Sequence, residues 1–494
     1  MTIVEYDAEA AMRDGVVLRA DVYRPAGDGP WPVLLVRTPY GKQDPVILGL
    51  LDPLKATRRG FLVVIQDVRG RFASGGDWQP FTGERADGHD TIAWAARLPG
   101  ANGRVGTYGP SYLGQVQLAA QATRPPALAA SVIAFTWADP ADGLTARGGA
   151  AEWGLVTGWS LRQRFDLLRR AGAGPDRTNE LIAVLDGFPG SAPADLRLPA
   201  VPVNAPTVPT MVVAGWYDPF LQGCLDTYAA LGRAGLPRAL IVGPWSHNNQ
   251  TGHVGEVDFG LAADAAVLGL FDRQLDWLGG DRTAAPALAF VMGVNEWRRF
   301  GEWPPESTAE SWYLHADGRL APVPPDGADG ADPLGYDPAD PVPTHGGPTL
   351  ISPAFPSGPL DQRVVEDRPD VLTYTSAPLE TAVTVAGRVY AHLFRATAAA
   401  GDSDSVVRLC DVGPDGVSRN VTDGIRRSAD PELVVDLWST AYVFRPGHRI
   451  RVQVTWSSFP RWDRADGPPR QLIQRDAAHP SRIVLPVRPD QSVL

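Results

Sequence analysis

A serine occupies the tip of a tight turn between a strand-like and a helix-like segment. The apolar run that begins at Val105 predicts a buried strand, and the run from Gln115 to Ala122 is rich in helix formers. Gly109 and Gly114 flank Ser111, and small neighbours permit the strained backbone of such a turn. The spacing is Gly-x-Ser-x-x-Gly rather than Gly-x-Ser-x-Gly. The pattern favours an α/β fold in which Ser111 is a nucleophile, with an ordinary Gly-rich turn as the alternative.

Two further residues match the needs of a nucleophilic serine, which are an imidazole base and a carboxylate that orients it. Asp218 follows the apolar segment 210–217, and His247 follows the apolar segment 238–246. Open α/β sheets place their sites beyond the carboxyl ends of strands. In α/β-hydrolases, the catalytic residues follow the chain order Ser, acid, His. Ser111, Asp218 and His247 are therefore predicted to form a catalytic triad, although either of the last two, taken singly, is also compatible with a turn residue.

Asp67 is a competing acid, because it follows the apolar segment 61–66. Arg69 and Arg71 come directly after it. We therefore expect Asp67 to form an ion pair near the site rather than to orient the histidine.

Five motifs together resemble the bacterial cocaine esterase-like (CocE/NonD) hydrolase family, which is related to X-Pro dipeptidyl-peptidases and α-amino acid ester hydrolases. The resemblance runs from about residue 3 to the C-terminus. The motifs are Arg37-Thr38-Pro39-Tyr40-Gly41-Lys42, Gln66-Asp67-Val68-Arg69-Gly70-Arg71, Gly109-Pro110-Ser111-Tyr112-Leu113-Gly114, Gly215-Trp216-Tyr217-Asp218 and Gly243-Pro244-Trp245-Ser246-His247.

The resemblance implies three domains. These are an α/β-hydrolase core (1–138 and 206–284), an inserted helical cap (139–205) and a C-terminal jelly-roll β-sandwich of galactose-binding-like type (285–494). The residue patterns agree, since strands and helices alternate at first and short strands between Pro, Gly and Asp turns follow later. Particular segments are predicted as two cap helices (152–170 and 179–185), a core helix (262–278), a sandwich strand (287–294) and a long irregular loop (321–348).

The resemblance also implies a mixed oxyanion hole, in which Tyr40 supplies its phenol hydroxyl and Tyr112 its backbone N–H. From the residues alone, the favoured interpretation of Tyr40 is an aromatic side chain at a strand end that packs under a loop. Phe220 matches the family pattern after Asp218 and is expected to line the substrate pocket. Three cap-side tryptophans either line that pocket too or pack in a small core, and these are Trp137, Trp153 and Trp159.

Composition narrows the classes of protein and partner. The 494 residues carry a formal net charge of −11 without a block of like charge, which argues against binding to nucleic acid or to an anionic membrane. Two cysteines and the absence of a metal-spaced Cys/His cluster predict no metal and no cofactor. The N-terminus lacks the features of a signal peptide, and a cytoplasmic location is expected. The expected partner is a small-molecule ester or amide, and a homodimer is a further expectation.

The leading hypothesis is a serine hydrolase that cleaves carboxylic esters through an acyl-enzyme. A second is an amidase, an X-Pro dipeptidyl-peptidase or an α-amino acid ester hydrolase or acyltransferase. Such an enzyme would need carboxylates for a substrate ammonium, and Asp139, Asp142 and Glu152 are candidates. A third is a non-catalytic binding protein, since fold alone does not fix function.

Overall fold

A ten-stranded sheet with helices packed on it and a sandwich of two further sheets make up most of the described part of the molecule. The computed structural model describes residues 1–172, 174–179, 206–283, 286–327, 330–397, 401–465, 467 and 470–489. The strands of the first part are, in chain order, β1 (Thr2–Ala11), β2 (Val17–Pro25), β3 (Trp31–Thr38), β4 (Leu62–Asp67), β5 (Ala101–Pro110), β6 (Leu128–Ala134), β7 (Ala146–Arg147), β8 (Ala150–Ala151), β9 (Thr210–Tyr217), β10 (Arg238–Ser246), β11 (His253–Val254), β12 (Val257–Asp258), β13 (Ala287–Val291) and β14 (Glu296–Phe300).

Ten of these strands form one sheet in the order β1-β2-β4-β3-β5-β6-β9-β10-β13-β14. The seven strands from β4 to β13 in this order pair in parallel, and the pairs at both ends of the sheet are antiparallel. Strands such as β4 and β9 are buried along their whole length, which is typical of a parallel sheet covered on both faces. Their carboxyl ends therefore meet at one edge of the sheet.

Helices cover the two faces of this sheet and supply the part of the cap that the structure describes. None of the helices in the described ranges is long and apolar enough to cross a bilayer. The α-helices are α1 (Pro45–Leu51), α2 (Pro53–Arg58), α3 (Glu84–Ala95), α4 (Tyr112–Gln121), α5 (Trp153–Arg170), α6 (Leu221–Arg233), α7 (Leu270–Gly279) and α8 (Arg363–Glu366).

The C-terminal part is a β-sandwich. One sheet has the order β16-β15-β25-β19-β24-β17 with β22 added beside β19, and the other has the order β18-β23-β20-β21. Apolar residues of both sheets share one buried cluster, as a sandwich requires. The strands are β15 (Thr308–Leu314), β16 (Leu320–Ala321), β17 (Ala331–Gly335), β18 (Val371–Thr375), β19 (Val383–Thr397), β20 (Ser403–Val412), β21 (Ser418–Ser428), β22 (Glu432–Phe444), β23 (Arg449–Thr455), β24 (Arg470–Gln474) and β25 (Arg482–Arg488).

The core and the sandwich are joined by apolar packing. Trp216 and Phe290 of the core sheet lie in the same buried cluster as Trp438 and Val443 of β22. This contact places the sandwich directly against the strand that carries Asp218.

A buried ion cluster attaches the start of the cap to the sandwich. Asp423 lies 2.8 Å from Arg461 and 3.5 Å from Arg147, and all three side chains are about 2% exposed. Burial opposes ionisation of Asp423, but attraction by Arg461 and Arg147 outweighs it and lowers the pKa of this carboxyl. Breaking such a cluster on one side leaves a buried charge without compensation.

The segment predicted to open the sandwich belongs to the core sheet instead. Residues 287–291 form β13, which pairs in parallel with β10, and β14 returns antiparallel beside it. The crossover helix α7 precedes β13, so the βαβ pattern of the core continues past residue 285. On this topology the core sheet extends to Phe300.

Two other segments differ from the sequence prediction. The helix predicted over 262–278 begins only at Leu270, because the chain turns at Gly269, whose φ is +68°. The loop predicted over 321–348 contains the strand β17, in which Pro333 is tolerated because β17 is an edge strand. The first predicted cap helix corresponds closely to α5, whereas the second, 179–185, lies outside the described residues except for Asn179.

Candidate active site

Ser111 lies between β5 and α4 in a strained backbone conformation. Its φ is +56° and its ψ is −126°, values that a residue with a side chain rarely adopts. The neighbouring glycines are required sterically, since a Cβ on Gly109 would lie 2.4 Å from Leu113 Cβ, and one on Gly114 would lie 2.8 Å from Thr136 Cβ. This is the geometry expected of a nucleophile elbow, with Ser111 preceding the N-terminus of α4.

His247 and Asp218 form a short hydrogen bond. His247 Nδ1 lies 2.6 Å from Asp218 Oδ2, and the Asp218 side chain is completely buried. The other carboxylate oxygen, Oδ1, accepts a hydrogen bond of 2.7 Å from the backbone N–H of Phe220. The carboxylate is thus fixed on one side by the backbone and can orient the imidazole with the other.

Two residues that follow β6 lie against the proposed catalytic groups, Phe135 beside His247 and Thr136 beside Ser111. Thr136 Oγ1 donates to the backbone oxygen of Ser111 at 2.9 Å, and the ring of Phe135 lies 6.3 Å from the ring of His247. Ser111 Oγ has no hydrogen bond to any of the described residues, and catalytic pairs often tighten only when substrate binds. The structure therefore brings Ser111, Asp218 and His247 to the same edge of the sheet.

Tyr40 follows β3 at this edge, and its hydroxyl contacts the cap. Trp159 Nε1, on α5, donates to Tyr40 Oη at 3.1 Å. Burial raises the pKa of the Tyr40 phenol, although the bond from Trp159 and the positive charges of Arg162 and Arg71 oppose the shift. The phenol consequently keeps its proton well into the alkaline range and can act as a donor.

Tyr112 is the first residue of α4, and its side chain is held away from the turn by buried partners. Its hydroxyl donates to Glu84 Oε1 at 2.9 Å and accepts from the backbone N–H of Phe81 at 3.1 Å. Glu84 in turn pairs with Arg37 at 2.7 Å. The backbone N–H of Tyr112 has no acceptor among the described residues, as is usual in the first turn of a helix, and it is free to bind an oxyanion.

Aromatic side chains cluster around these groups. Phe220 lies 5.3 Å from His247 and 4.9 Å from Trp137, measured between ring centroids. Trp159 lies 6.3 Å from the ring of Tyr112, and their planes differ by 20°. Phe220, Trp137 and Trp159 are therefore adjacent to the proposed catalytic groups.

Trp153 has a different environment. Its ring lies 5.6 Å from Phe459 of the sandwich, and the side chain is 5% exposed. The beginning of α5 thus packs against the sandwich, while Trp159, farther along the helix, faces Tyr40.

Asp67 is paired with Lys42 rather than with the arginines that follow it. Its Oδ1 accepts from the backbone N–H of Lys42 at 2.7 Å, and Lys42 Nζ lies 3.4 Å from Oδ2. Burial raises the pKa of Asp67, and Lys42 opposes the rise. The expected partners bind elsewhere, Arg69 to Asp87 and Arg71 to Asp166, because their side chains leave the loop in other directions.

The three carboxylates considered for an ammonium group have different environments. Glu152 accepts from Trp462 Nε1 at 2.8 Å and lies 3.7 Å from Arg461, so the buried cluster at the sandwich uses it. Asp139 Oδ1 accepts from a backbone N–H in its own turn. Asp142 is half-buried, burial raises its pKa, and the adjacent Gly143 packs against the backbone oxygen of Pro219.

Sequence reasoning missed Trp78 and Phe81 at the site. The ring of Phe81 lies 4.5 Å from Tyr112, 5.2 Å from Trp137 and 5.9 Å from Trp159. Both missed residues lie in the loop between β4 and α3, which leaves the sheet at the same edge as Ser111. Two aromatic residues in a Gly-rich loop at that edge were the available signal.

Within the described ranges, no group of three or more His, Cys, Asp or Glu is arranged to hold a metal ion.

The sequence matches two protein families over most of its length. Residues 14–183 and 193–249 match X-Pro dipeptidyl-peptidase (S15 family), and residues 281–484 match the X-Pro dipeptidyl-peptidase C-terminal non-catalytic domain. A cocaine esterase from Rhodococcus sp. (strain MB1 Bresler) is 34% identical, over 96% of this chain and 97% of its own. A putative serine esterase from Mycobacterium bovis is 26% identical, over 96% of this chain and 94% of its own.

Two solved structures share the whole architecture. An aminopeptidase from a marine sediment archaeon (Thaumarchaeota archaeon) is 26% identical with a TM-score of 0.80, over 99% of this chain and 96% of its own. An α-amino acid ester hydrolase is 26% identical with a TM-score of 0.77, over 99% and 97%. These matches confirm the α/β-hydrolase core with a C-terminal β-sandwich and do not support the hypothesis of a non-catalytic binding protein. The chain belongs to the cocaine esterase-like family of serine hydrolases, together with X-Pro dipeptidyl-peptidases and α-amino acid ester hydrolases.

Proposed function

We propose that this protein hydrolyses small carboxylic esters through an acyl-enzyme on Ser111. The observation that carries the proposal is the 2.6 Å hydrogen bond between His247 and buried Asp218 at the sheet edge where strained Ser111 lies. His247 takes the proton of Ser111 as the hydroxyl attacks the ester carbonyl, and then gives a proton to the leaving alcohol. Water, activated by His247, hydrolyses the acyl-enzyme.

The oxyanion of the tetrahedral intermediate binds between two donors. One is the hydroxyl of Tyr40, and the other is the backbone N–H of Tyr112, which has no competing acceptor among the described residues. Losing one such donor typically costs about 3–4 kcal/mol of transition-state stabilisation. The aromatic rings of Phe220, Trp137 and Trp159 then line an apolar acyl pocket, whereas Trp153 supports the cap from the sandwich side.

A panel of substrates tests this proposal. Wild type and Ser111→Ala are compared on p-nitrophenyl acyl esters, on a benzoyl ester and on Gly-Pro-p-nitroanilide. Cleavage of the esters that disappears in Ser111→Ala supports the proposal. Ester turnover that persists in Ser111→Ala overturns it.

A second candidate is hydrolysis of amides or esters that carry a free α-amine. The similarity to an aminopeptidase and to an α-amino acid ester hydrolase favours it, and Asp142 offers a half-buried carboxylate beside the Pro219–Phe220 turn. Ser111-dependent cleavage of the anilide, lost in Asp142→Asn while p-nitrophenyl acetate is still hydrolysed, would support this activity. We rank plain ester hydrolysis first, because Glu152 already binds Arg461 and Trp462 and so cannot serve as a carboxylate for a substrate ammonium.

The finer expectations extend this proposal. We propose that the sandwich is a jelly roll, that the core, cap and sandwich act as separate domains, that the enzyme works in the cytoplasm, and that it forms a homodimer. Light scattering on the purified protein tests the dimer.

A further inference from the structure

The hydroxyl of Tyr40 receives a hydrogen bond from the cap and gives none to the described residues. An indole N–H can only donate, so Trp159 Nε1 at 3.1 Å makes Tyr40 Oη the acceptor. The hydrogen of the phenol then has to point away from Trp159. Because no described residue accepts it, it is available to the oxygen of a bound ester.

Arg71 ties the backbone next to Tyr40 to the same helix. Its Nε donates to the backbone oxygen of Pro39 at 2.8 Å, while Nη2 donates to Asp166 Oδ2 at 2.8 Å. The Arg71 side chain is 2% exposed, so the arginine end of this bridge is shielded from water. Asp166 follows Trp159 by two helical turns on α5, which puts both contacts on one face of the helix.

The chain just after Tyr40 is anchored to the core sheet through Lys42. Asp67, at the end of β4, accepts from the backbone N–H of Lys42. The side chain of Lys42 lies 2.8 Å from Asp7 and is 6% exposed. The loop is therefore fixed by the core after Tyr40 and by the cap before it. Among the residues that the structure describes, the hydroxyl itself is bonded only by the cap.

The cap helix also contacts the second donor residue. The ring of Trp159 stacks on that of Tyr112 at 6.3 Å, and the rings of Tyr40 and Tyr112 lie edge to face at 6.3 Å. One indole thus touches both residues that supply the oxyanion donors.

We propose that α5 is part of the oxyanion hole, with Trp159 and Arg71 as positioning residues that orient the hydroxyl of Tyr40 toward the substrate. Docking of the cap helix then adds to transition-state stabilisation by orienting the Tyr40 hydroxyl, separately from any contact that the cap makes with substrate. This inference rests on the proposed function, in which Tyr40 is an oxyanion donor.

A double-mutant cycle on p-nitrophenyl acetate tests the inference, because its small acyl group limits direct contact with Trp159. Trp159→Phe keeps an aromatic ring and removes the N–H. We expect kcat to fall about three- to tenfold, the worth of one neutral hydrogen bond, while KM changes little. In a Tyr40→Phe background, Trp159→Phe should cause no further loss of kcat.

A matched control is Trp297→Phe, which also removes an indole hydrogen bond, to the backbone oxygen of Ala262, far from Tyr40 in the fold. It should leave kcat unchanged. Asp166→Ala, at a side chain that is 21% exposed, tests the same coupling through Arg71 and serves if Trp159→Phe does not fold. It should lower kcat in the wild-type background and not in Tyr40→Phe.

Three results would overturn the inference. One is equal loss of kcat from Trp159→Phe with and without the hydroxyl of Tyr40, another is a loss confined to KM, and the third is full kcat in both Trp159→Phe and Asp166→Ala. Labelling of Ser111 by a fluorophosphonate separates this failure from failure of the proposed function. If Ser111 is labelled while Trp159→Phe and Asp166→Ala keep full kcat, the inference alone is wrong; if wild type is not labelled at Ser111, the proposed function is wrong.

Discussion

Asp218 divides its two carboxylate oxygens between His247 and the backbone of Phe220. Oδ2 lies 2.6 Å from His247 Nδ1, and Oδ1 accepts from the Phe220 N–H at 2.7 Å. Because the backbone N–H of Phe220 holds Oδ1, the carboxylate is oriented with Oδ2 facing the imidazole. The turn that carries Asp218 therefore also sets the orientation of the proposed base.

Asp218→Asn should abolish most activity without unfolding the protein. The amide oxygen would keep the bond from Phe220, so the amide NH₂ would face His247 and force its proton onto Nε2. His247 could then no longer accept the proton of Ser111, and kcat should fall about 10⁴-fold, as for the same change in a known triad. Steady-state kinetics with a thermal melt as folding control measure this. Activity within tenfold of wild type would contradict the assignment of Asp218.

The two tyrosines should respond differently to loss of their hydroxyls. Tyr40→Phe removes an oxyanion donor and should lower kcat about 10²–10³-fold. Tyr112→Phe keeps the backbone N–H and should change kcat by only a few-fold. Its hydroxyl bonds to buried Glu84, so its loss should lower the free energy of unfolding by about 1–3 kcal/mol. Comparison of kcat and thermal midpoints checks both; the reverse ranking of kcat would exclude this oxyanion hole.

The activity should not decline near pH 10 through loss of a proton from Tyr40. Burial raises the pKa of this phenol above its ordinary value of 10.0, so the donor form persists to higher pH. We expect kcat/KM in wild type to stay level from about pH 8 to pH 10, around the ordinary pKa of tyrosine. A pH profile of wild type against Tyr40→Phe measures this. A fall centred near pH 10 in wild type alone would contradict it.

The ion cluster around Asp423 should matter for stability rather than for chemistry. Asp423→Asn leaves Arg147 and Arg461 buried without their shared anion and should cost about 3–5 kcal/mol. The pKa of Asp423 is lowered in the folded state, so its contribution is present above the ordinary value of 3.8 and is lost as pH falls through the lower folded value. Thermal melts of both proteins at pH 7 and at a series of pH values below 3.8 test this, and the difference between their melting temperatures should shrink only in that acidic range. Equal melting temperatures at pH 7 would show that the cluster is dispensable.

Local sequence was sufficient for the elements that position the site. The apolar runs before Ser111, Asp218 and His247 are strands of one sheet, and their ends meet because the strands are parallel. The family resemblance added the expectation that Tyr40 and Tyr112 supply oxyanion donors, which remains a proposal. A single-residue signal at Tyr40 would not have sufficed, since an aromatic residue after a strand is common in ordinary packing.

Contacts between distant segments were beyond reach of the sequence. The partner of Asp67 is Lys42, 25 positions earlier, and Arg71 bonds to Asp166, 95 positions later. Local spacing favoured Arg69 and Arg71, but tertiary packing directs them elsewhere. The helix α3 begins at Glu84, and its charged first turn is buried because Glu84 pairs with Arg37 and Asp87 with Arg69.

The most direct test of the central claim is to identify the acylated residue. Wild type, Ser111→Ala and His247→Ala are incubated with a p-nitrophenyl ester of a slowly hydrolysed acyl group, quenched in acid and digested for peptide mass spectrometry. The account predicts one acyl group per chain, on Ser111, in wild type, none in Ser111→Ala and greatly slowed labelling in His247→Ala. Acylation of another residue, with turnover intact in Ser111→Ala, would contradict it.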